Sequence, residues 1–117
     1  IKCNGENGIY VSGESADKIT NIYFDQVDIR INKTTAIPGG IYDRRPANVE
    51  GFVKGHSSAF YFDKAKKITV RNSSVIWGND RPAYFSHALE SNAVANLQLF
   101  NFLGESAFPG KLKAIMK

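Results

Sequence analysis

An all-β fold of stacked parallel coils, a solenoid, is predicted for this chain by three observations. Its apolar residues alternate along short runs rich in Val, Ile, Phe and Tyr, the pattern of half-buried strands. Gly, Asn, Asp and Ser separate these runs. The segment KITNIYFDQVDIRIN, residues 18–32, returns in outline as KKITVRNSSVIW and ANLQLFNFLG. With Ile22, Ile68 and Leu97 set level, Phe24, Val70 and Leu99 follow two places on, and Gln26, Asn72 and Asn101 two places later. The copies stand 46 (68 − 22) and 29 (97 − 68) residues apart, and repetition at this scale is the mark of a stacked architecture.

In chain order, strands are expected over residues 9–12, 19–31, 59–63, 68–77 and 97–102. Residues 34–55 differ in composition, with Pro38-Gly39-Gly40, Arg44-Arg45-Pro46 and Gly51, and read as a long insertion loop. A helix over residues 87–100 competes with the last strand, because Leu89, Ala93, Leu97 and Phe100 fall at helical spacing. The repeat favours the strand. Residues 104–117, with Gly104 and Pro109, are expected to fold over the final coil as a cap.

The aligned Gln26, Asn72 and Asn101 suggest an amide ladder. In a parallel stack the same bend recurs at the same height, so each amide donates to the next while bonding its own turn, satisfying buried polar groups. The competing explanation is that Asn simply favours turns.

Length and charge narrow the function classes. A chain of 117 residues, 43% hydrophobic, makes one ordinary domain with a core of its own. A single cysteine, Cys3, excludes an internal disulfide and a zinc–thiolate framework. No apolar run approaches the roughly 18 residues that span a bilayer. The formal charge of +4 mildly favours polyanions such as acidic polysaccharide, nucleic acid or anionic lipid. Its densest clusters, Arg44-Arg45, Lys64 to Lys67 and Lys111 to Lys117, form no continuous stripe with interleaved aromatics, so a solvated surface is the reading and neither a nucleic-acid nor a membrane partner is expected. The chain opens on Ile1, so a signal peptide would lie outside it.

The phrases ITNIYFDQVDI and KKITVRNSSV resemble coils of right-handed parallel β-helices of the pectin-lyase-like superfamily. The run PGGIYDRRPANVEGFV and the later SVIWGNDRPAYFSHALE resemble the C-terminal part of bacterial polygalacturonase-like proteins, glycoside hydrolase family 28. This resemblance implies hydrolysis of pectic, galacturonic-acid-containing polysaccharide with inversion. It further implies a secreted or periplasmic setting; no cofactor is expected. Inversion requires two carboxyl groups roughly 6.5–9.5 Å apart across the scissile bond. The family's Asn-Thr-Asp and Asp-Asp motifs are absent here. Gly55-His56-Ser57 and Arg30-Ile31-Asn32 depart from its Gly-His-Gly and Arg-Ile-Lys and stand in reversed order. No catalytic residue is therefore assigned, and residues 1–117 are read as a single segment, the C-terminal coils of a longer β-helix.

Trp77, Arg81, Tyr84, Arg44 and Arg45 are the substrate-binding candidates: an aromatic face stacks on a sugar ring and a guanidinium grips a uronate. A packing role competes and is favoured, with Trp77 beneath a loop and Arg44 or Arg45 pinning Asp43 or Glu50. His56 and His87, the only histidines, have no Glu or Cys at ligand-like spacing, so no metal is expected. Ser12, Ser57 and Ser86 lack a nucleophile elbow, and Gly5, Gly8 and Gly13 lack a phosphate loop's Lys-Ser or Lys-Thr ending. Asp25 and Asp28, three apart, point to opposite faces of a strand. The Asn32 and Asn72 sequons are expected to stay unmodified. A non-catalytic carbohydrate-binding rod, and a rod that self-associates through exposed coil ends, stand beside the hydrolase reading.

Overall fold

The computed structural model describes residues 1–46 and 50–117; residues 47–49, inside the expected insertion and the PGGIYDRRPANVEGFV phrase, lie outside the described residues. The described residues form strands and turns with no helix, and consequently no helix long and apolar enough to cross a membrane. Among the described residues there are nine strands: β1 Lys2–Gly5, β2 Ile9–Ser12, β3 Thr20–Asp25, β4 Asp28–Ile31, β5 Ile41–Asp43, β6 Phe52–Lys54, β7 Phe60–Trp77, β8 Leu89–Leu103 and β9 Ile115–Met116. Seven of them form one sheet, every pairing of which is parallel.

The register follows the sequence echo. Ile22 pairs with Ile68 and Phe24 with Val70, while Ile68 pairs with Leu97 and Val70 with Leu99. The expected single strand over residues 19–31 is two strands, β3 and β4, because Gln26 between them holds φ at 56°. The runs at 59–63 and 68–77 are joined in the 18-residue β7, which carries its left-handed residues without leaving the sheet. Residues 87–100 are not helical, since β8 extends beside β7 from Leu89 to Leu103. Helical spacing there is incidental; the edge hydrogen bonds of β7 decide the conformation.

Phe60, Phe62, Ile68, Val70 and Leu89 point inward and are fully buried, each contributing about 1.5–3 kcal/mol of transfer free energy. Val27, Ile29, Ile31, Val75, Trp77 and Phe85 join them in the core, with Ala59, Ala65, Ala88 and Ala107. The insertion contains structure of its own: β5 and β6 pair antiparallel, Tyr42 opposite Val53. At the other end, residues 104–117 turn back on the sheet. Ala107 N–H donates to Ser86 O at 2.7 Å, and β9 pairs with Leu89 and Glu90.

The amide row lies on the surface and not in the interior: Gln26, Asn72 and Asn101 are all exposed. Asn101 Nδ2 donates to Asn72 Oδ1 at 3.0 Å, and Asn72 Nδ2 reaches Asp25 Oδ1, beside Gln26, at 3.4 Å. The corners turn toward water, so Asn101 and Asn72 bridge neighbouring strands without rescuing buried polar groups.

Candidate functional site

Parallel register builds a mixed aromatic and acidic row on the outer face of the sheet. Tyr10 pairs with Tyr61 and Tyr61 with Glu90. Two places on, Ser12 pairs with Asp63 and Asp63 with Asn92, pointing the same way because strand side chains alternate with period two. The Tyr10 and Tyr61 rings stack with centroids 5.0 Å apart. Tyr42, from β5 of the insertion hairpin, lies against both, 4.2 Å from Tyr10 and 6.1 Å from Tyr61. Its hydroxyl donates to the His56 carbonyl at 2.7 Å, fixing the hairpin to the sheet.

Around these rings sit two acids. Asp63, 8% exposed, accepts from Ser12 Oγ at 3.2 Å and from Asn92 Nδ2 at 3.0 Å. Glu90 Oε2 accepts from Ser58 Oγ at 2.8 Å and lies 2.7 Å from His56 Nε2. Burial, then the charges of Asp63 and Glu90, push the Tyr61 phenol up to about 12. Burial, followed by Glu90 and Tyr10, raises Tyr42 as well. Both phenols therefore stay protonated at neutral pH, as neutral donors and acceptors.

His87 stands beside this group, its ring perpendicular to that of His56 with centroids 6.0 Å apart. Its Nδ1 lies 2.7 Å from the Lys113 carbonyl. One donor atom each from His56, His87 and Glu90 falls within 4.8 Å of the others. Sequence spacing offered little signal for this meeting. His56 lies 34 residues from Glu90, and only the bridge of Ser57 to Phe85 and the pairing of β7 with β8 bring the two segments level.

The residues singled out from the sequence occupy three separate places. Trp77 is buried against Phe85, 5.3 Å between centroids, and its Nε1 donates to Glu105 O at 2.8 Å. Arg81 donates to the carbonyls of Gly78 and Ala107, both at 2.8 Å, and more weakly to that of Trp77 at 3.4 Å. Tyr84 packs edge-on to Phe85 and against Gly39 and Gly40, where a Cβ would meet its ring. Arg45 makes a two-pronged pair with Asp43, at 2.9 and 2.7 Å, and lies 4.1 Å over the Phe52 ring. That pair holds the Asp43 carboxyl down at about 2. Arg44 Nη2 donates to Glu50 O at 3.2 Å. Trp77 and Arg81 thus come together around the C-terminal segment, Tyr84 lies under the insertion, and Arg44 and Arg45 stay within the hairpin. A hollow of about 490 Å³ lined by Glu105, Ser106, Pro109, Lys111, Lys113 and Ala114 includes none of the five.

In comparisons with known proteins, no family model, no curated protein and no solved structure matches this chain.

Proposed function

We propose that this chain is a run of right-handed parallel β-helix coils from a polygalacturonase-like glycoside hydrolase, giving scaffold and a polysaccharide-contacting outer face, with the catalytic carboxylates supplied by other coils. One observation carries the reading. Among the described residues, the eight non-glycine positions with positive φ fall into three aligned rows, Lys64 with Ala93, Asn21 with Lys67 and Asn96, and Gln26 with Asn72 and Asn101. Backbone corners stacked at one height are what a coiling parallel sheet requires, and parallel crossovers are right-handed in nearly all folds.

The stacked tyrosines, bordered by Asp63 and Glu90, supply the polysaccharide contact. An aromatic face meets a sugar's C–H face, and the protonated phenols exchange hydrogen bonds with its hydroxyl groups. The side chains of Arg81 and Arg45 are engaged by carbonyls and by Asp43, so recognition rests on hydroxyls more than on uronate charge. Two tests bear on this. The protein encoded by the surrounding reading frame is expected to carry paired aspartates in other coils and to release reducing ends from polygalacturonate, while the 117-residue chain alone releases none; a frame without such aspartates removes the hydrolase. In the isolated chain, Tyr61→Ala is expected to weaken oligogalacturonide binding about fivefold or more, the worth of one aromatic contact at about 1 kcal/mol.

A non-catalytic binding rod is the second reading. It is favoured by the engagement of both face acids, Asp63 with Ser12 and Asn92, and Glu90 with His56 and Ser58. Binding in a parent that lacks hydrolysis would select it.

A further inference from the structure

We propose that His56, His87 and Glu90 form a binding site for a zinc-like divalent cation, with water completing a tetrahedral shell. The three side chains come from the stem of the insertion hairpin, the segment before β8, and β8 itself. One donor atom of each lies within 4.8 Å of the other two. Ligands at zinc lengths of about 2.0–2.1 Å on tetrahedral corners stand about 3.3 Å apart, so closing the site asks for side-chain adjustments and no movement of strands.

Support around the ligands separates this cluster from an ordinary ion pair. His87 Nδ1–H donates to the Lys113 carbonyl at 2.7 Å, so in the neutral ring Nε2 is the nitrogen that offers a lone pair. A backbone carbonyl on the second imidazole nitrogen is the usual way in which a ligating histidine's tautomer and ring angle are fixed. The backbone of His56 is held by the Tyr42 hydroxyl at 2.7 Å. Glu90 is held by Ser58 Oγ at 2.8 Å, the arrangement expected of a ligating carboxylate.

Exposure rises across the set. His87 is 5% exposed, while the side chains of Glu90 and His56 are 15% and 51% exposed. Two ligands are thus anchored and the third faces solvent, giving an ion an entry path and an open fourth position for water. On binding, the His56–Glu90 hydrogen bond gives way to two bonds to the metal, and the neutral His56 imidazole carries its proton on Nδ1. Two imidazoles with one carboxylate suit Zn²⁺ or Co²⁺; Mg²⁺ prefers an octahedron of oxygens.

The experiment is a Co²⁺ and Zn²⁺ titration of the 117-residue chain at neutral pH, followed by visible absorption and calorimetry, with Mg²⁺ in parallel. Expected are one equivalent of Co²⁺ with the intense bands of a four-coordinate centre, displacement by Zn²⁺, and no saturable Mg²⁺ binding. His56→Ala and Glu90→Gln each weaken binding by about tenfold or more. Both variants alter partly exposed side chains, and circular dichroism verifies their fold. Cys3→Ser, removing an exposed thiol, leaves binding unchanged. The proposal is overturned if no saturation is reached by about 1 mM metal, a free energy of only about 4 kcal/mol, if folded His56→Ala and Glu90→Gln bind as tightly as the parent, or if Cys3→Ser abolishes the signal.

Discussion

At Asn101, φ is 51° and the side chain donates to Asn72 at 3.0 Å; at Ala93, in the same strand, φ is also 51° with a methyl group in its place. The left-handed region crowds Cβ against the following carbonyl at about 1–2 kcal/mol, and Asn offsets part of that by local hydrogen bonding. Ala93→Asn is therefore expected to stabilise the chain by about 1 kcal/mol, whereas Asn101→Ala destabilises it by about 1–2 kcal/mol. Denaturant midpoints measured on both variants check the pair; a shift of the same sign in both would contradict it. Sequence alignment brought Asn101 and Asn72 level, because amides at turns are visible as residue types. Lys64, Lys67 and Ala93 adopt the same backbone conformation with no such mark, since their corners are imposed by pairing with neighbouring strands.

Between elements, Glu6 has the clearest part. It follows β1, and its carboxylate accepts from the amides of Thr34 and Thr35 at 2.8 and 2.7 Å, from the Thr35 hydroxyl, and from Lys33 Nζ at 3.2 Å. These bonds, led by the Thr35 amide, lower the Glu6 carboxyl from 4.5 to about 2. A depressed carboxylate stabilises the fold above its unfolded value and loses that contribution as pH falls through its folded one. Tethering of the segment after β4 is thus full above about pH 4.5 and disappears toward about pH 2. With intrinsic exchange divided out, the hydrogen-exchange protection of Thr34 and Thr35 is expected to fall on acidification across this range; in Glu6→Gln it is low and pH-insensitive. In the sequence, residues 34–55 stand out by composition between the first two copies of the repeat. The antiparallel β5–β6 pairing within them left no such mark, because three-residue strands give too few alternations to register as a period.

Across the whole molecule, the sheet leaves a long edge. From Ser91 to Leu103, β8 pairs with β7 alone among the described residues, and Phe100 and Leu103 are 54% and 64% exposed. A strand edge with apolar side chains is a template for another chain. Light scattering over a concentration series is expected to show a rising mass for the 117-residue chain, reduced in Phe100→Lys/Leu103→Lys; a constant monomer mass would contradict this. Residue identities alone determined that strands dominate and which positions share a level, because alternation and the spacings of 46 and 29 residues encode side-chain faces and strand neighbours directly. Tertiary structure alone decided that the nominated arginines are engaged by their own chain, that the amide row faces water, and that His56, His87 and Glu90 meet. The reason is physical: such meetings depend on where a backbone turns in three dimensions, and parallel pairing joins residues dozens of positions apart that no local pattern connects.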